Sequence, residues 1–430
     1  MPPPATINMR WRSLLLAIFL LALVPRLAVA LTLDDPPVLQ NDAGWYDFFG
    51  RQISDGRGYA LPDNQPTSRW PPGYPLFLGG IYKATHDSQR AARVTQALIG
   101  ALTAVLAAAI ARRSISRNAG LAAGVLVALL PSHALYSSLL MSEVLFTFLI
   151  MLALQLGVRA RSMRAAALAG IVFGAATLVR AQAIVLVIPL VASWAATGYL
   201  HPGRRRETAL LLGALVATVC VTLAPWTVRN AVQLHAFQPV STNLGINLWV
   251  GNNPDATGAV MIPPIDEFSA RATGTELEVR LDARARDAAL RRIAHHPLAT
   301  LSLAPRKLIE TFRNDRSFAA WYEPRGSSYL DPILRIWLGR LADVYYYLLV
   351  IAALAGTAML ARARRFEGIV LPVAAVVVWS LVSVVFFGDT RYHLPLLPLL
   401  AAPAGYALTR ILDVSGDAPP GMPSRRPAES

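Results

Sequence analysis

The sequence predicts an all-α integral membrane protein with about ten transmembrane helices. Hydrophobic residues make up 54% of the 430 positions and charged residues only 15%, whereas about a quarter of a soluble domain is charged. Several apolar runs exceed the ~18 residues that mark a spanning helix. Short arginine-rich runs separate these segments, as is typical of connections on one side of a membrane. The mean hydropathy of +0.44 agrees with this class.

Ten apolar segments are predicted to span the membrane, at 11–32, 92–111, 119–138, 139–158, 165–179, 183–200, 208–225, 341–361, 368–387 and 393–412. The first segment has a rival interpretation as a signal peptide, because Arg10 and Arg12 precede an apolar stretch that ends in Ala28-Val29-Ala30. We favour a retained helix, since the residues that follow it look like part of a working site.

The arginine clusters predict the orientation of the chain. If the N-terminus is cytoplasmic, the runs at 112–117, 159–164, 204–206 and 362–365 all fall on the cytoplasmic side, as the positive-inside rule requires. The opposite face then receives the long connections and the short breaks at 137–143, 180–182 and 388–392. We therefore expect a multi-pass protein of the inner (plasma) membrane with both termini cytoplasmic and an extracytoplasmic working face.

The same pattern divides the chain into four parts. These are an N-terminal transmembrane module over 1–225 with its first outer loop at 33–91, an extracytoplasmic segment over 226–340, C-terminal transmembrane helices over 341–412, and a cytoplasmic tail over 413–430. The second part has a mostly helical pattern and predicts a small helical cap. The tail is rich in Pro, Ser, Gly and Arg, a composition that predicts disorder.

Charge and cysteine content exclude two other classes. The net charge of +14 lies mostly in short runs between apolar segments, where it encodes membrane orientation, so it does not predict a nucleic-acid partner. The only cysteine is Cys220, inside an apolar run. A disulfide framework or a thiolate metal site is therefore impossible within one chain.

The first outer loop opens with a short amphipathic helix. Asn41 can cap it, and Asp42 and Tyr46 share a face one turn apart. Aromatic residues at Trp45 and Phe48 suit a helix in the membrane interface. Asp42 has two interpretations: a carboxylate that favours the helix N-terminus, or a general base held at the membrane surface.

Several arginines lie on the outer side, against the positive-inside rule. Arg69, Arg180, Arg229 and Arg391 each lie beside a predicted helix end. A guanidinium in this position needs an anionic partner, which can be an acidic neighbour or a bound phosphate. Their convergence on one face favours a polyanionic ligand.

An ordered set of motifs resembles one enzyme superfamily. The set comprises Asp42 and Tyr46, then Trp70-Pro71-Pro72-Gly73-Tyr74-Pro75-Leu76-Phe77, Met141-Ser142-Glu143, Pro225-Trp226-Thr227-Val228-Arg229-Asn230, Asn247-Leu248-Trp249-Val250-Gly251-Asn252-Asn253, and Arg391-Tyr392-His393-Leu394-Pro395-Leu396-Leu397-Pro398. In this order and on one membrane side, it resembles the GT-C polyprenyl-phosphate-dependent glycosyltransferases. The nearest families are the protein O-mannosyltransferases (glycosyltransferase family 39) and the lipid A aminoarabinose transferases. The resemblance covers most of residues 10–410.

The resemblance implies a hexosyl- or pentosyltransferase that moves a sugar from a polyprenyl-phosphate donor in a single inverting displacement. It implies Asp42 as the base, with Glu143 assisting it or orienting the acceptor. For the donor phosphate it points to Arg391, then to Arg69 and Arg180. Positioning of donor or acceptor falls to Tyr46, Tyr74, Tyr392 and Arg229. The implied partners are the lipid-linked donor, membrane lipids and a lipid, glycan or protein acceptor.

Two departures from the family pattern affect this assignment. The relatives commonly carry a second acid directly after the catalytic aspartate, where this chain has Ala43. The aminoarabinose transferases place a lysine immediately before the Pro-Pro pair, where this chain has Trp70. Asp34 and Asp35 form a second acidic candidate in the same loop.

No metal site is predicted. His295 and His296 are adjacent and face different ways on a helix, which is poor ligand geometry. No cofactor is required by the sequence, which leaves open a divalent cation at the donor phosphate.

Two other functions are weighed against the transferase. A transporter or flippase of lipid-linked sugars is the main alternative. Charged residues that face a mid-membrane cavity, together with an internal repeat, would favour it. A non-catalytic scaffold is the second. The acidic candidates instead gather at one surface, which favours the enzyme.

Overall fold

The computed structural model describes residues 5–32, 41–198, 202–261, 274–322 and 330–412. Across these ranges the protein is helical, and two isolated β-bridges, Ala60 with Pro66 and Ala259 with Gly388, are the β pairings that they contain. The all-α class predicted from the sequence is confirmed. Asp34, Asp35 and the predicted tail at 413–430 lie outside the described residues.

The α-helices follow one another along the chain. They are α1 Ala5–Thr32, α2 Asp42–Ser54, α3 Gly73–Thr85, α4 Gln89–Ser114, α5 Arg117–Ala128, α6 Pro131–Leu135, α7 Glu143–Gly157, α8 Met163–Val179, α9 Val187–Ala196, α10 Arg205–Gln233, α11 Leu244–Asn252, α12 Gly274–His295, α13 Pro297–Ser302, α14 Ala304–Phe312, α15 Phe318–Trp321, α16 Pro332–Arg362, α17 Val370–Val385 and α18 Leu397–Ile411. Short 3₁₀ helices include Ala181–Leu186, which leads into α9, and Thr390–Leu396, which leads into α18.

Five helical segments in the described ranges are long and apolar enough to cross a membrane. They are Met9–Thr32, Gln89–Ser114, Arg205–Gln233, Pro332–Arg362 and Thr390–Ile411, and the bent pair Arg117–Ala128 with Pro131–Ser138 raises the number to six. The bend of 53° in that pair falls at Pro131, which cannot donate a backbone N–H to the preceding turn. The protein is therefore a multi-pass membrane protein.

The other four predicted spans form shorter apolar helices, at Glu143–Gly157, Met163–Val179, Ala181–Ala196 and Val370–Val385. Each has 10–17 residues, fewer than the ~20 that a bilayer core requires of a straight helix. Ten membrane crossings are therefore not established. The shortening arises where polar breaks near Glu143, Arg180 and Asp389 replace helix with irregular or 3₁₀ backbone.

Small residues let the helices approach closely around α4. Its buried face includes Ala97, Ala101, Ala104 and Ala108, none of which is exposed. This face packs against α1, α5, α7 and α18. Alanine and glycine stripes support such packing in membranes, where hydrophobic burial adds little between helices.

A buried arginine fixes the first helix to this bundle. Arg26 of α1 is fully buried, and its Nη1 donates to the carbonyl oxygens of Ala22 and Ala128, both at 2.8 Å. Its Nη2 donates to the Val127 carbonyl at 3.0 Å. The carbonyls at the end of α5 are thereby satisfied, as the absence of water inside the bundle demands.

The outer connection after α1 folds into α2 and α3. Asn41 caps α2 as predicted, because its Oδ1 accepts from the Gly44 N–H at 3.0 Å. The helix ends before Gly56, whose φ of +75° is a left-handed conformation that glycine adopts readily. Farther along the chain, α10 continues through Pro225 to Gln233, beyond the predicted end of that span. The division into four parts stays a prediction.

Candidate active site

The candidate base stands at the first turn of α2. Asp42 is the first residue of that helix, where the free backbone N–H groups favour a negative charge. Its Oδ2 accepts from Arg391 Nη1 at 3.0 Å, and its Oδ1 lies 3.4 Å from Trp70 Nε1. Trp70 thus occupies the position where the aminoarabinose transferases have a lysine, and it contacts the carboxylate through an indole N–H.

Arg391 bridges two carboxylates. Its Nε donates to Asp389 Oδ2 at 3.0 Å, while its Nη1 donates to Asp42. Asp389 also caps the 3₁₀ helix that carries Arg391, by accepting from the Arg391 backbone N–H at 3.0 Å. From the sequence, Gly388-Asp389-Thr390 was predicted only as a break between helices. The acid two residues before the arginine was the available signal for this pair.

Opposing effects act on the Asp42 carboxyl. Its burial alone would raise the pKa. The charge of Arg391, its hydrogen bond and that of Trp70, and the more distant charge of Arg180 together outweigh burial, so the pKa lies below its ordinary value of 3.8. Asp42 is therefore ionised at neutral pH, as a general base must be before it accepts a proton.

A second arginine is held at the break between α8 and α9. Arg180 forms an ion pair with Glu143, the first residue of α7, and its Nε donates to Ser142 Oγ at 2.9 Å. Arg180 is 8% exposed and Glu143 is 2% exposed. Glu143 Oε2 has no hydrogen-bond partner among the described residues. Glu143 therefore orients the Arg180 side chain from the side that faces away from the cavity described next.

A cavity of about 270 Å³ collects these groups. Its walls include six of the residues predicted from the sequence: Asp42, Tyr46, Arg69, Arg180, Arg391 and Tyr392. The Arg69 guanidinium lies over the Trp70 ring, 5.2 Å from its centre. One carboxylate and three guanidiniums thus face a single space, and the guanidiniums of Arg180 and Arg391 are also paired with the carboxylates of Glu143 and Asp389.

Three predicted residues lie behind this wall. Glu143 acts through Arg180, and the buried Tyr74 donates its hydroxyl to Gln96 Oε1 at 2.7 Å. Tyr74 also packs edge-on against Tyr46, with 5.0 Å between ring centres. None of the atoms that line the cavity belongs to Glu143 or Tyr74 in the described structure.

The third is Arg229, which holds the outer loop together. Its Nη1 donates to the Thr67 carbonyl at 2.7 Å and its Nη2 to the Tyr59 carbonyl at 2.6 Å. Arg229 is not among the residues that line the cavity. It ties α10 to the chain segment that leads to Arg69 and Trp70.

The second acid of α2, Asp47, stabilises the packing of this helix against its neighbours. Asp47 Oδ1 accepts from Tyr82 Oη at 2.5 Å and from Gln89 Nε2 at 3.0 Å, and its Oδ2 accepts from Arg51 Nε at 2.9 Å. These contacts fix α2 to α3 and to the start of α4. Asp47 and Asp42 therefore differ in kind, because only Asp42 of the two faces the cavity.

Neutral amides complete the cavity wall. Gln182, Asn243 and Asn247 line it, and none of the three was predicted as a site residue. Gln182 lies in the same break as Arg180, and Asn247 begins the motif at 247–253. Both could therefore have been predicted as site residues from the sequence. Such side chains can donate to and accept from hydroxyl groups.

A second, apolar cavity of about 260 Å³ adjoins the first. Both are lined by Ala181, Gln182, Asn243, Asn247, Phe387 and Tyr392. The rest of the second cavity includes Ile184, Val185, Val382 and Phe386. A charged space therefore opens into an apolar one between the Ala181–Leu186 helix and α17.

The described residues contain no group of three or more His, Cys, Asp or Glu side chains arranged to hold a metal ion. The carboxylates of Asp42 and Asp389 instead share the Arg391 guanidinium.

Comparison with known proteins finds a family similarity over part of this chain. Residues 69–226 match the model of the dolichyl-phosphate-mannose-protein mannosyltransferases. The match covers 158 of the 430 residues and shows a similarity to that family over this stretch. It contains the Trp70 motif, Glu143, Arg180 and the beginning of the Pro225 motif, so the resemblance inferred from the motifs is confirmed. No curated protein matches the sequence at a significant level.

Solved structures share the fold of this chain. The oligosaccharyltransferase AglB from Archaeoglobus fulgidus, in complex with an inhibitory peptide and a dolichol-phosphate, is 14% identical with a TM-score of 0.52. The match covers 96% of this chain and 51% of that one. A structure of the Archaeoglobus fulgidus oligosaccharyltransferase with zinc and sulfate is 13% identical, with a TM-score of 0.53 and coverages of 92% and 49%.

A weaker similarity, with a TM-score of 0.43 and 16% identity, relates the chain to ArnT from Cupriavidus metallidurans bound to undecaprenyl phosphate, over 95% of this chain and 79% of that one. The chain spans about half the length of the archaeal structures. At these identities the archaeal similarity establishes a shared fold.

Proposed function

We propose that the protein is a membrane glycosyltransferase that moves a sugar from a polyprenyl-phosphate donor to an acceptor. The observation that carries this proposal is the joining of two cavities. One presents the Asp42 carboxylate and the guanidiniums of Arg69, Arg180 and Arg391, and the other is apolar. A lipid phosphate has this same combination of an anionic head and an apolar chain.

The phosphate of the donor would lie against the arginines. Guanidinium groups bind phosphate oxygens in a forked geometry and stabilise the negative charge that develops as the phosphate leaves. Arg180 is already oriented by Glu143 and Ser142, and Arg391 by Asp389. Pre-oriented cations stabilise charge without further rearrangement at the moment of reaction.

The polyprenyl chain would run into the apolar cavity beside α17. The cavity lies between the Ala181–Leu186 helix and α17, both of which belong to apolar segments of the bundle. A donor that enters from the bilayer would thereby place its phosphate at the junction lined by Gln182, Asn247 and Tyr392. The neutral amides there suit the hydroxyls of the transferred sugar.

The reaction would be a single inverting displacement. The acceptor hydroxyl oxygen attacks the anomeric carbon, the bond from that carbon to the phosphate oxygen breaks, and the electron pair leaves with the polyprenyl phosphate. Asp42 accepts the proton of the attacking hydroxyl. Tyr46, Tyr74 and Tyr392 support the positions of the reacting groups, and the acceptor is a lipid, a glycan or a protein.

Donor binding would also free the base. Arg391 is shared between Asp42 and Asp389 before a donor is present. A phosphate that recruits this guanidinium weakens its hold on Asp42, and the pKa of this partly buried carboxyl then rises toward that of an effective base. Deprotonation of the acceptor is thereby favoured only after the donor has arrived.

The side of the membrane on which the proposed site lies is inferred from the arginine pattern and not from the geometry of the cavity. The proposal places the site on the extracytoplasmic side, with the N-terminus cytoplasmic. Cysteine labelling from either side of sealed vesicles at Asp63→Cys, in the first outer loop, tests this placement.

The direct test uses the purified full chain with a polyprenyl-phosphate sugar. Release of polyprenyl phosphate together with glycosylated acceptor supports the transferase. Movement of the intact donor across a vesicle membrane without cleavage would support a transporter or flippase instead. A divalent cation is added and chelated in parallel reactions, because the proposed phosphate site relies on arginines and predicts activity without the cation.

A further inference from the structure

A cavity of about 350 Å³ lies at the far end of the helices that carry the candidate site. Its wall includes residues near the C-terminal ends of α4, α7 and α9 and the start of α17. The start of α7 is Glu143, beside the candidate site, and its end at Gly157 precedes Val158 of this cavity. At 1.5 Å per residue, about 22 Å of helix separates the two places.

Two guanidiniums give this cavity its charge. Arg113 and Arg161 line it, and Glu367 is the one acidic residue on its described wall. Glu207 lies outside the lining, where its carboxylate accepts from Arg204 at 3.0 Å and interacts electrostatically with Arg161. The cavity therefore has a positive balance.

Further arginines surround it. Arg112 lies over the Trp11 ring, 4.2 Å from its centre. The pKa of Arg159 is lowered by burial and by the charges of Arg113 and Arg112. The cations are thus close enough to oppose one another, and a bound anion would relieve that repulsion.

The remaining wall distinguishes this site from a fully aqueous one. Ser114 and Ser193 have hydroxyls that donate to the carbonyls of Ile110 and Leu190, at 3.0 and 2.9 Å. Donors to an anion must therefore come from the arginines. Val158, which is only partly buried, adds apolar surface, which suits a ligand that joins a charged group to a hydrocarbon part.

We propose that this cavity binds the phosphate group of an anionic phospholipid at the membrane face opposite the candidate active site. Basic recesses between the ends of transmembrane helices are typical lipid-headgroup sites. The two guanidiniums supply charge-assisted hydrogen bonds to the phosphate, and the apolar wall contacts the glycerol and the first acyl carbons. The site is independent of the proposed sugar transfer.

The test measures lipid binding to the purified full chain by native mass spectrometry, with phosphatidylglycerol and phosphatidylcholine as probes. Arg113→Gln and Arg161→Gln should each weaken phosphatidylglycerol binding by about 5-fold, the effect expected for one cation near an anionic headgroup. Glu367→Gln should strengthen it, because that substitution removes a repulsive charge. Arg164→Gln is the matched control, since Arg164 is exposed at the same end and does not line the cavity.

Each outcome decides for or against the site. Selective binding of phosphatidylglycerol that falls in both arginine variants and rises in Glu367→Gln supports it. Equal binding of the two lipids, or unchanged binding in the arginine variants, overturns it. Inorganic phosphate is tested separately: if it competes fully at low millimolar concentration and no lipid is retained, the ligand is free phosphate and the lipid assignment is wrong.

Discussion

Arg391 Nη1 donates to Asp42 Oδ2 at 3.0 Å across a sequence separation of 349 residues. This contact joins α2, which begins at Asp42, to the 3₁₀ helix Thr390–Leu396 that leads into α18. It brings the proposed base and the foremost phosphate ligand into one ion pair. The chemistry of the proposed site therefore depends on how this pair responds to a donor.

The pair predicts the pH dependence of activity. Because the pKa of Asp42 lies below 3.8 in the folded protein, the carboxylate should be ionised at all higher pH values, and the acid limb of kcat/KM from this group should lie below 3.8. The pair also stabilises the folded protein above the unfolded pKa, and that contribution is lost as the pH falls through the folded one.

Arg391→Gln should move that limb to higher pH, since burial then acts on the carboxyl with less opposing charge. The measurement is the pH profile of donor cleavage in wild type and variant. Arg69→Gln is the control, because Arg69 lines the cavity without contributing to the Asp42 shift. An unmoved acid limb in Arg391→Gln would show that the pair does not set the pKa of Asp42.

The buried pair of Arg180 and Glu143 predicts a stability effect. Glu143→Ala leaves a buried guanidinium without its counter-charge and should cost about 3–5 kcal/mol of unfolding free energy. The double variant Glu143→Leu with Arg180→Met should recover much of this loss, yet bind donor more weakly because a phosphate ligand is gone. Thermal unfolding in detergent and donor titration measure the two effects. Recovery of both stability and donor affinity in the double variant would remove Arg180 from the phosphate site.

The apolar cavity predicts discrimination by chain length. Val382→Phe adds bulk to its wall and should raise KM several-fold for a long polyprenyl donor, with a smaller effect on a donor that has a short prenyl chain. Val377→Phe on the same helix is the control, because Val377 is exposed and does not line that cavity. Equal effects on the long and short donors would place the polyprenyl chain elsewhere.

The hydrogen bonds of Arg229 predict that it orders the first outer loop and takes no direct part in the reaction. Arg229→Ala removes the donors to Tyr59 and Thr67 and should increase proteolysis within 57–68, while lowering activity about 10-fold through a less ordered Trp70. Arg229→Lys should restore part of the protection, because an ammonium can reach one carbonyl but does not have the fork for two. Limited proteolysis with mass mapping measures this, and wild-type protection in Arg229→Ala would contradict the role.

Local rules sufficed for the outer helix and for most apolar segments. Asn41 as a cap, Asp42 and Tyr46 on one face, and the end of α4 just after Arg112-Arg113 all follow from short-range patterns. The convergence of outer arginines also held for Arg69, Arg180 and Arg391, which line one cavity.

Long-range partners were beyond those rules. Arg180 needed an anion, but the choice of Glu143 depends on how α7 and α8 pack. Lys307 is buried and donates to Asn252 Oδ1 at 2.9 Å, a pairing that no spacing in the sequence indicates. The number of membrane crossings could not be predicted from the sequence either, because the apolar helices beside the polar breaks are shorter than a bilayer core requires.

The most direct test of the account is donor cleavage by Asp42→Asn. Asparagine keeps the size of the side chain but cannot accept the acceptor proton, so the rate of polyprenyl phosphate release should fall about 10²–10⁴-fold, with thermal unfolding near that of wild type. Asp63→Asn is the matched control, since Asp63 is exposed in the same outer loop and, within the described part of the chain, its carboxylate accepts the local Gln65 N–H and does not line the cavity. Loss of cleavage in Asp42→Asn with retention in Asp63→Asn is the predicted result; full cleavage by folded Asp42→Asn would contradict the central claim.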